Sequence, residues 1–184
     1  ARDIAARLVY ISTDFIFDGK SDRPYRTDDP PAPLSSYGQS KWDGEEAVRE
    51  TLKDHVIVRT SWLFGPGGRN FVKAITGLLE RGDSPRVVRD QTGAPTYSIE
   101  LAERIVDMAL LENSNGTWHV TNEGHCSWYE YARAIAEETG HSPDVIQALT
   151  AREWGAAAER PKYSVLDCSE TWGLGIRPLS SWRE

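Results

Sequence analysis

Leu8-Val9-Tyr10-Ile11 is a short apolar run rich in strand formers, with no polar residue alternating through it. Such a run reads as a strand buried on both faces, the habit of a parallel sheet rather than a sheet with one wet side. Val56-Ile57-Val58 repeats the pattern. Between the two runs, residues 18–35 are rich in Asp, Pro and Gly, with Pro24, Pro30, Pro31 and Pro33, and predict a long irregular loop of the kind that is usually functional. A helix should then run from about Ser36 to Leu52. Further on, Phe71, Val72, Ile75, Leu78 and Leu79 keep helical spacing, as do Leu101, Ala102, Ile105, Val106, Ala109 and Leu110. Arg86-Val87-Val88 and Trp118-His119-Val120 read as short strands. Ser127 with Glu130 is a capping box that starts a helix running to about Thr139, and Thr150 with Glu153 forms a second box. Strands alternating with helices predict an α/β fold built on a parallel sheet.

Bulk properties exclude several functions. The 184 residues carry a formal net charge of −7, which argues against a general nucleic-acid or anionic-membrane binder, since either needs a basic face. Cys126 and Cys168 are too few and too far apart for a disulfide framework, and no Cys/His cluster has zinc-ligand spacing, so no metal site is expected. No apolar stretch is long enough for a bilayer span, and the polar Ala1-Arg2-Asp3 does not open a signal peptide. A cytoplasmic protein is the expectation.

Tyr37 and Lys41 lie four residues apart within Ser36-Tyr37-Gly38-Gln39-Ser40-Lys41. On a helix both side chains leave the same face and can meet at one point. With five lysines in the chain, a tyrosine followed four residues later by a lysine is expected only about 0.2 times by chance under that pairing rule. A charged ammonium favours the ionised form of a neighbouring phenol, which suits the phenol to donate or accept a proton. Thr13, at the end of the first strand, adds a neutral hydroxyl. A hydroxyl, a phenol and an ammonium around one oxygen suit the interconversion of a carbonyl and an alcohol. Glycine-rich residues 65–68 before Arg69 do not make a phosphate loop, because they lack the required Gly-Lys-Ser/Thr spacing; Arg69 could still reach a diphosphate.

These stretches have relatives. Ile11-Ser12-Thr13-Asp14-Phe15-Ile16-Phe17-Asp18-Gly19, then Tyr37-Gly38-Gln39-Ser40-Lys41 with Gly44-Glu45, then Arg59-Thr60-Ser61-Trp62-Leu63-Phe64-Gly65 follow one another in a familiar order. Asn70-Phe71-Val72, Asp90-Gln91-Thr92-Gly93-Ala94-Pro95-Thr96 and Arg160-Pro161 continue it. The whole resembles the extended short-chain dehydrogenase/reductase superfamily and, within it, the dTDP-4-dehydrorhamnose reductase family. Glu159 departs from the alanine more usual before Arg160-Pro161. The resemblance implies that Tyr37 protonates the C4 oxygen of a dTDP-4-keto-6-deoxy sugar and that Lys41 supports Tyr37 and bonds the nicotinamide ribose. It implies that Thr13 holds the keto oxygen and that Asp14 and Trp62 lie beside the sugar. Gln91 and Thr96 are weaker substrate-side candidates, because Gly93 and Pro95 make their block read as a fixed turn that shapes a loop. The implied cofactor is NADPH, with NADH as the other option, and the resemblance allows a homodimer.

One part of that pattern is missing. A dinucleotide-binding Rossmann domain opens on a strand, a glycine-rich turn and a helix whose backbone N–H groups hold the pyrophosphate. No such turn occurs here, and Gly173-Leu174-Gly175 stands after no strand. The expectation is therefore a reductase without its N-terminal cofactor-binding elements. Residues 1–60 would be the rest of a Rossmann domain, and 61–184 mainly a smaller substrate-binding lobe with some elements returning to the Rossmann sheet. Two rivals compete with a reductase. One is a non-catalytic regulatory subunit similar to the methionine adenosyltransferase β subunit, which need not keep Thr13, Tyr37 and Lys41. The other is a nucleotide-sugar epimerase or dehydratase, of which a dehydratase would want a second carboxylate next to Asp14.

Overall fold

The computed structural model describes residues 6–156 and 158–184. In chain order the strands and helices are β1 (Leu8–Thr13), α1 (Ser36–Thr51), β2 (His55–Thr60), β3 (Leu63–Phe64), α2 (Phe71–Glu80), β4 (Arg86–Val88), β5 (Thr92–Gly93), β6 (Thr96–Tyr97), α3 (Ser98–Leu110), β7 (Gly116–His119), β8 (Cys126–Ser127), α4 (Trp128–Glu138), β9 (Gln147–Leu149), α5 (Ala151–Trp154) and α6 (Ser169–Gly173). The main sheet is parallel, in the order β1-β2-β7, with Leu8 opposite His55 and Thr13 opposite Thr60. All six residues of β2 are buried, as its unbroken apolar run requires of a central strand. In β1, Leu8 to Ile11 are only half-buried, which corrects the expectation that this run is covered on both faces. The reason is positional: among the described residues β1 pairs with β2 alone, so its other edge is open.

Three apolar clusters hold the elements together. Val56, Val58, Leu101, Met108, Val120, Ile176 and Leu179 pack the sheet against α3 and the C-terminal residues. Ile75, Leu79, Val87, Tyr131, Ile135 and Ile146 form a second apolar core, between α2, α4 and the parallel pair β4-β9. Ile16, Phe17, Tyr25 and Leu166 make a third cluster, which pins the long loop after β1 to the C-terminal part of the chain. Phe17 stacks on Tyr25 at 4.2 Å, and the Tyr25 backbone bonds both Val165 and Asp167.

The Asp90–Thr96 block is where sequence reading and structure part. The fixed turn expected there carries two short strands: β5 pairs antiparallel with β8, and β6 pairs parallel with β3. Its backbone groups are committed to partners far away in the chain, Thr92 N–H to the Lys162 carbonyl and Thr96 N–H to the Trp62 carbonyl.

An open strand edge presents unpaired N–H and C=O groups to any other chain. The 184-residue polypeptide by itself should therefore elute from a sizing column above its monomer mass of 20.6 kDa. Calorimetric titration of the same sample should detect no micromolar NADPH binding, because the sequence contains no glycine-rich strand-turn-helix for the pyrophosphate. A monomer that binds NADPH tightly would contradict both expectations.

Candidate active site

In open parallel α/β sheets, ligands bind outside the carboxyl ends of the strands. Thr13 closes β1 and Thr60 closes β2, side by side at that end. The chain then turns sharply. Thr13 caps the 3₁₀ turn Asp14–Ile16, its Oγ1 accepting from Phe15 N–H at 3.2 Å and lying 3.1 Å from Asp14 Oδ1, to which it donates. That turn brings Phe15 beneath the start of α1. Gly38 makes the approach possible, since a Cβ there would run into the Phe15 carbonyl. Ser35 caps the helix through Gly38 N–H, and the ring of Tyr37 meets Phe15 edge-on at 6.0 Å. Lys41, one turn on, holds its Nζ 4.5 Å above the ring of Tyr10.

Thr13, Asp14, Tyr37, Lys41 and Trp62 all line one cleft of about 510 Å³. Tyr37 lines the cleft and is 56% exposed, whereas Thr13 and Asp14 are buried in its floor. Trp62 has φ 45°, a left-handed backbone that a non-glycine residue rarely adopts and that costs energy unless its surroundings impose it. Here they do. Trp62 stacks on Trp128 at 3.6 Å, Gly93 leaves room for the indole, and the Thr96 N–H and the Ser61 hydroxyl bond (to the Trp62 and Ala94 carbonyls) tie the segment to the Asp90–Thr96 block.

Of the two weaker candidates from the sequence, one needs correcting. Thr96 is fully buried in β6 and does not line the cleft; its contribution is the backbone bond that holds Trp62. Gln91 is buried and borders a neighbouring groove, together with Phe71, Leu78, Trp128, Trp154 and Arg160, which leaves it a candidate on the substrate side. Arg69 is exposed and lines neither. In return, Trp128 and Arg160 each border both the cleft and the groove and join them into one surface. Trp128 was not a candidate from sequence, and Arg160 entered only as part of the Arg160-Pro161 motif. Trp128 stood in plain view as the first residue of the Ser127–Glu130 helix, but nothing local links it to Trp62.

Burial pushes the Asp14 carboxyl up to about 7, against the pull of the Ser164 and Thr13 hydroxyls. A carboxyl raised on folding binds a proton in the native state that the unfolded chain has already released. Its stabilising share is therefore present below the unfolded value of 3.8 and is lost as pH rises through about 7. Between those limits Asp14 should lower unfolding free energy by up to about 1.4 kcal/mol per pH unit. Asp14→Asn should flatten that part of the curve in denaturant melts across the window. Parallel curves for the two proteins would show that Asp14 is already ionised at low pH.

A parallel α/β sheet that gathers a strand-end threonine and a Tyr-Lys helix pair on one cleft defines the extended short-chain dehydrogenase/reductase class. The model of the RmlD substrate binding domain family matches residues 1–184, and the chain belongs to that family. It is 48% identical over 181 residues to the spore coat polysaccharide biosynthesis protein SpsK of Bacillus subtilis (strain 168), covering 98% of this chain and 62% of that protein. A dTDP-4-dehydrorhamnose reductase of Streptomyces griseus is 39% identical, with 99% of this chain and 62% of the relative covered. The crystal structure of dTDP-4-dehydrorhamnose reductase from Bacillus anthracis str. Ames in complex with NADP superposes with a TM-score of 0.92 at 40% identity, over 98% of this chain and 63% of that one. The chain thus spans a little over three fifths of each of these relatives, 62–63% of their length.

Proposed function

We propose that this chain carries the substrate-reducing site of an NADPH-dependent reductase that converts the C4 ketone of dTDP-4-dehydro-L-rhamnose to the alcohol of dTDP-L-rhamnose. The observation that supports it best is the single cleft shared by Thr13, Tyr37, Lys41 and Trp62, continuous through Trp128 and Arg160 with an apolar groove. In this reading the phenol of Tyr37 gives its proton to the C4 oxygen, and the Thr13 hydroxyl holds that oxygen. Trp62 and Trp128 form the wall against the deoxysugar, an apolar face with an N–H at its rim. The groove along Phe71 and Leu78 suits the nucleoside, and Arg160, at the junction, suits the diphosphate.

The residues present fit the nicotinamide end of the cofactor. Lys41 makes no salt bridge with any described carboxylate and lines the same cleft as the exposed Tyr37, so both are free to bond a ribose. When bound, the dihydronicotinamide supplies the hydride. The unpaired thiols Cys126 and Cys168 suit a reducing compartment such as the cytoplasm. A regulatory subunit would not need this trio on an open cleft. A dehydratase would need a second acid where Phe15 stands after Asp14.

Oxidation of NADPH by a protein carrying this chain together with a dinucleotide-binding segment, dependent on a dTDP-4-keto-6-deoxy sugar, tests the reading. No turnover with that substrate would refute it. Trp62→Ala should raise KM for the sugar nucleotide by about tenfold and leave that for NADPH within about twofold. Equal losses for both ligands would assign Trp62 to the core instead.

A further inference from the structure

Glu45 is completely buried, and no step of the proposed reduction uses it. It follows Tyr37 and Lys41 at the same four-residue interval, so the three side chains share one stripe of α1. Tyr37 and Lys41 reach the cleft, whereas Glu45 is buried between the helix and the sheet. Its Oε1 accepts from the Ser12 hydroxyl at 2.5 Å and from Arg59 Nε at 3.0 Å. Its Oε2 accepts from Arg59 Nη2 at 2.8 Å and from Arg49 Nη2 at 2.6 Å. Arg59 is itself held by the Thr27 carbonyl at 3.0 Å and lies 3.4 Å from Nε2 of the buried His119. Ser12 immediately precedes Thr13, and Arg59 immediately precedes Thr60, which lines the cleft. One carboxylate therefore ties the helix to both strand ends that carry the site.

Apolar packing alone specifies the rotation of α1 weakly. Besides Glu45, only Gly38 and Val48 of this helix are buried, and hydrophobic attraction has no direction. A bidentate carboxylate–guanidinium pair does have direction.

We infer that Glu45 is a positioning residue: its bonds to Ser12 and Arg59 set the rotation of α1 against the sheet and thereby hold Tyr37 and Lys41 over Thr13. The inference rests on the reading of Tyr37 as the proton donor. A misplacement of about 1 Å at a reacting group can cost on the order of 10²-fold in rate, so a small turn of the helix is enough to matter.

In the intact protein, Glu45→Gln should lower kcat by about tenfold or more and leave both KM values within about twofold. It should also move the ring resonances of isotope-labelled Tyr37, which a merely structural loss in the folded protein would leave in place. If Glu45→Gln does not fold, Ser12→Ala keeps the ion pair, removes only its tie to β1, and should give the same pattern with a fall in kcat of about threefold or more. Either kcat within about twofold of wild type in the folded variant, or a loss confined to KM, overturns the inference. If the wild-type protein reduces no keto sugar, the functional reading fails by itself. The Tyr37 resonances then decide this inference: unmoved in the variant, they overturn it.

Discussion

On the proposed reading, Tyr37→Phe in a protein carrying this chain with a dinucleotide-binding segment is expected to lower kcat by about 10²- to 10⁴-fold, the usual contribution of a positioned acid. The fold should barely notice. The residue is 56% exposed, and its ring keeps the edge contact with Phe15. Both KM values should change little, because phenylalanine fills the same space. Turnover within a few-fold of wild type would move the proton donor elsewhere, and Asp14, whose carboxyl is pushed up to about 7, would be the first group to examine. A collapse of stability along with activity would instead make Tyr37 a packing residue.

The largest effect on stability is expected at Arg59. Its side chain is 2% exposed and makes a two-pronged ion pair with Glu45, which is not exposed at all. Arg59→Met leaves that carboxylate buried with only Ser12 and Arg49 to compensate it. Breaking a buried pair from one side costs about 3–5 kcal/mol, because the remaining charge keeps its desolvation penalty. For a chain of this size that is a fall in Tm of roughly 10 °C. Replacing both partners with methionine removes the stranded charge, so the double variant should recover most of the loss. Thermal melts of the three proteins decide it: a single variant within about 1 kcal/mol of wild type would show that water reaches Glu45.

The pair also sets a pH dependence opposite to that of Asp14. Burial alone would raise the Glu45 carboxyl, but the Arg59 guanidinium, together with Ser12 and Arg49, holds the group below its ordinary value of 4.5. Its stabilisation is thus present above 4.5 and fades as pH falls through the lowered folded value. His119 acts in the same direction as Glu45: burial and the neighbouring Arg59 push it down to about 3, so the folded chain keeps it neutral while the unfolded chain protonates it, and stability falls as pH drops from 6.5 towards 3.

Much of the architecture was legible because its causes are local. Unbroken apolar runs mark β1 and β2, and the Ser127–Glu130 and Thr150–Glu153 boxes start α4 and α5 as their spacing requires. The juxtaposition of Tyr37 and Lys41 follows from helical geometry once a helix starts at Ser36. The two-residue strands β5 and β6 were not legible, because each exists only through a partner about thirty residues away, Ser127 for Thr92 and Leu63 for Thr96. For the same reason the Asp90–Thr96 block read as a loop, and Thr96 as a cleft residue.

By itself, then, the sequence determined an α/β chain with a parallel sheet and a hydroxyl, a phenol and an ammonium near one strand end. Local propensity and side-chain period carry that information. Only the tertiary structure decided that Trp128 stacks on Trp62, that Arg160 joins cleft to groove, and that Glu45 of α1 meets Ser12 of β1 and Arg59 of β2. Each of these is a contact between segments distant in sequence. What selects it is the free energy of burying apolar surface without leaving a charge unpaired, and that balance belongs to the folded chain as a whole.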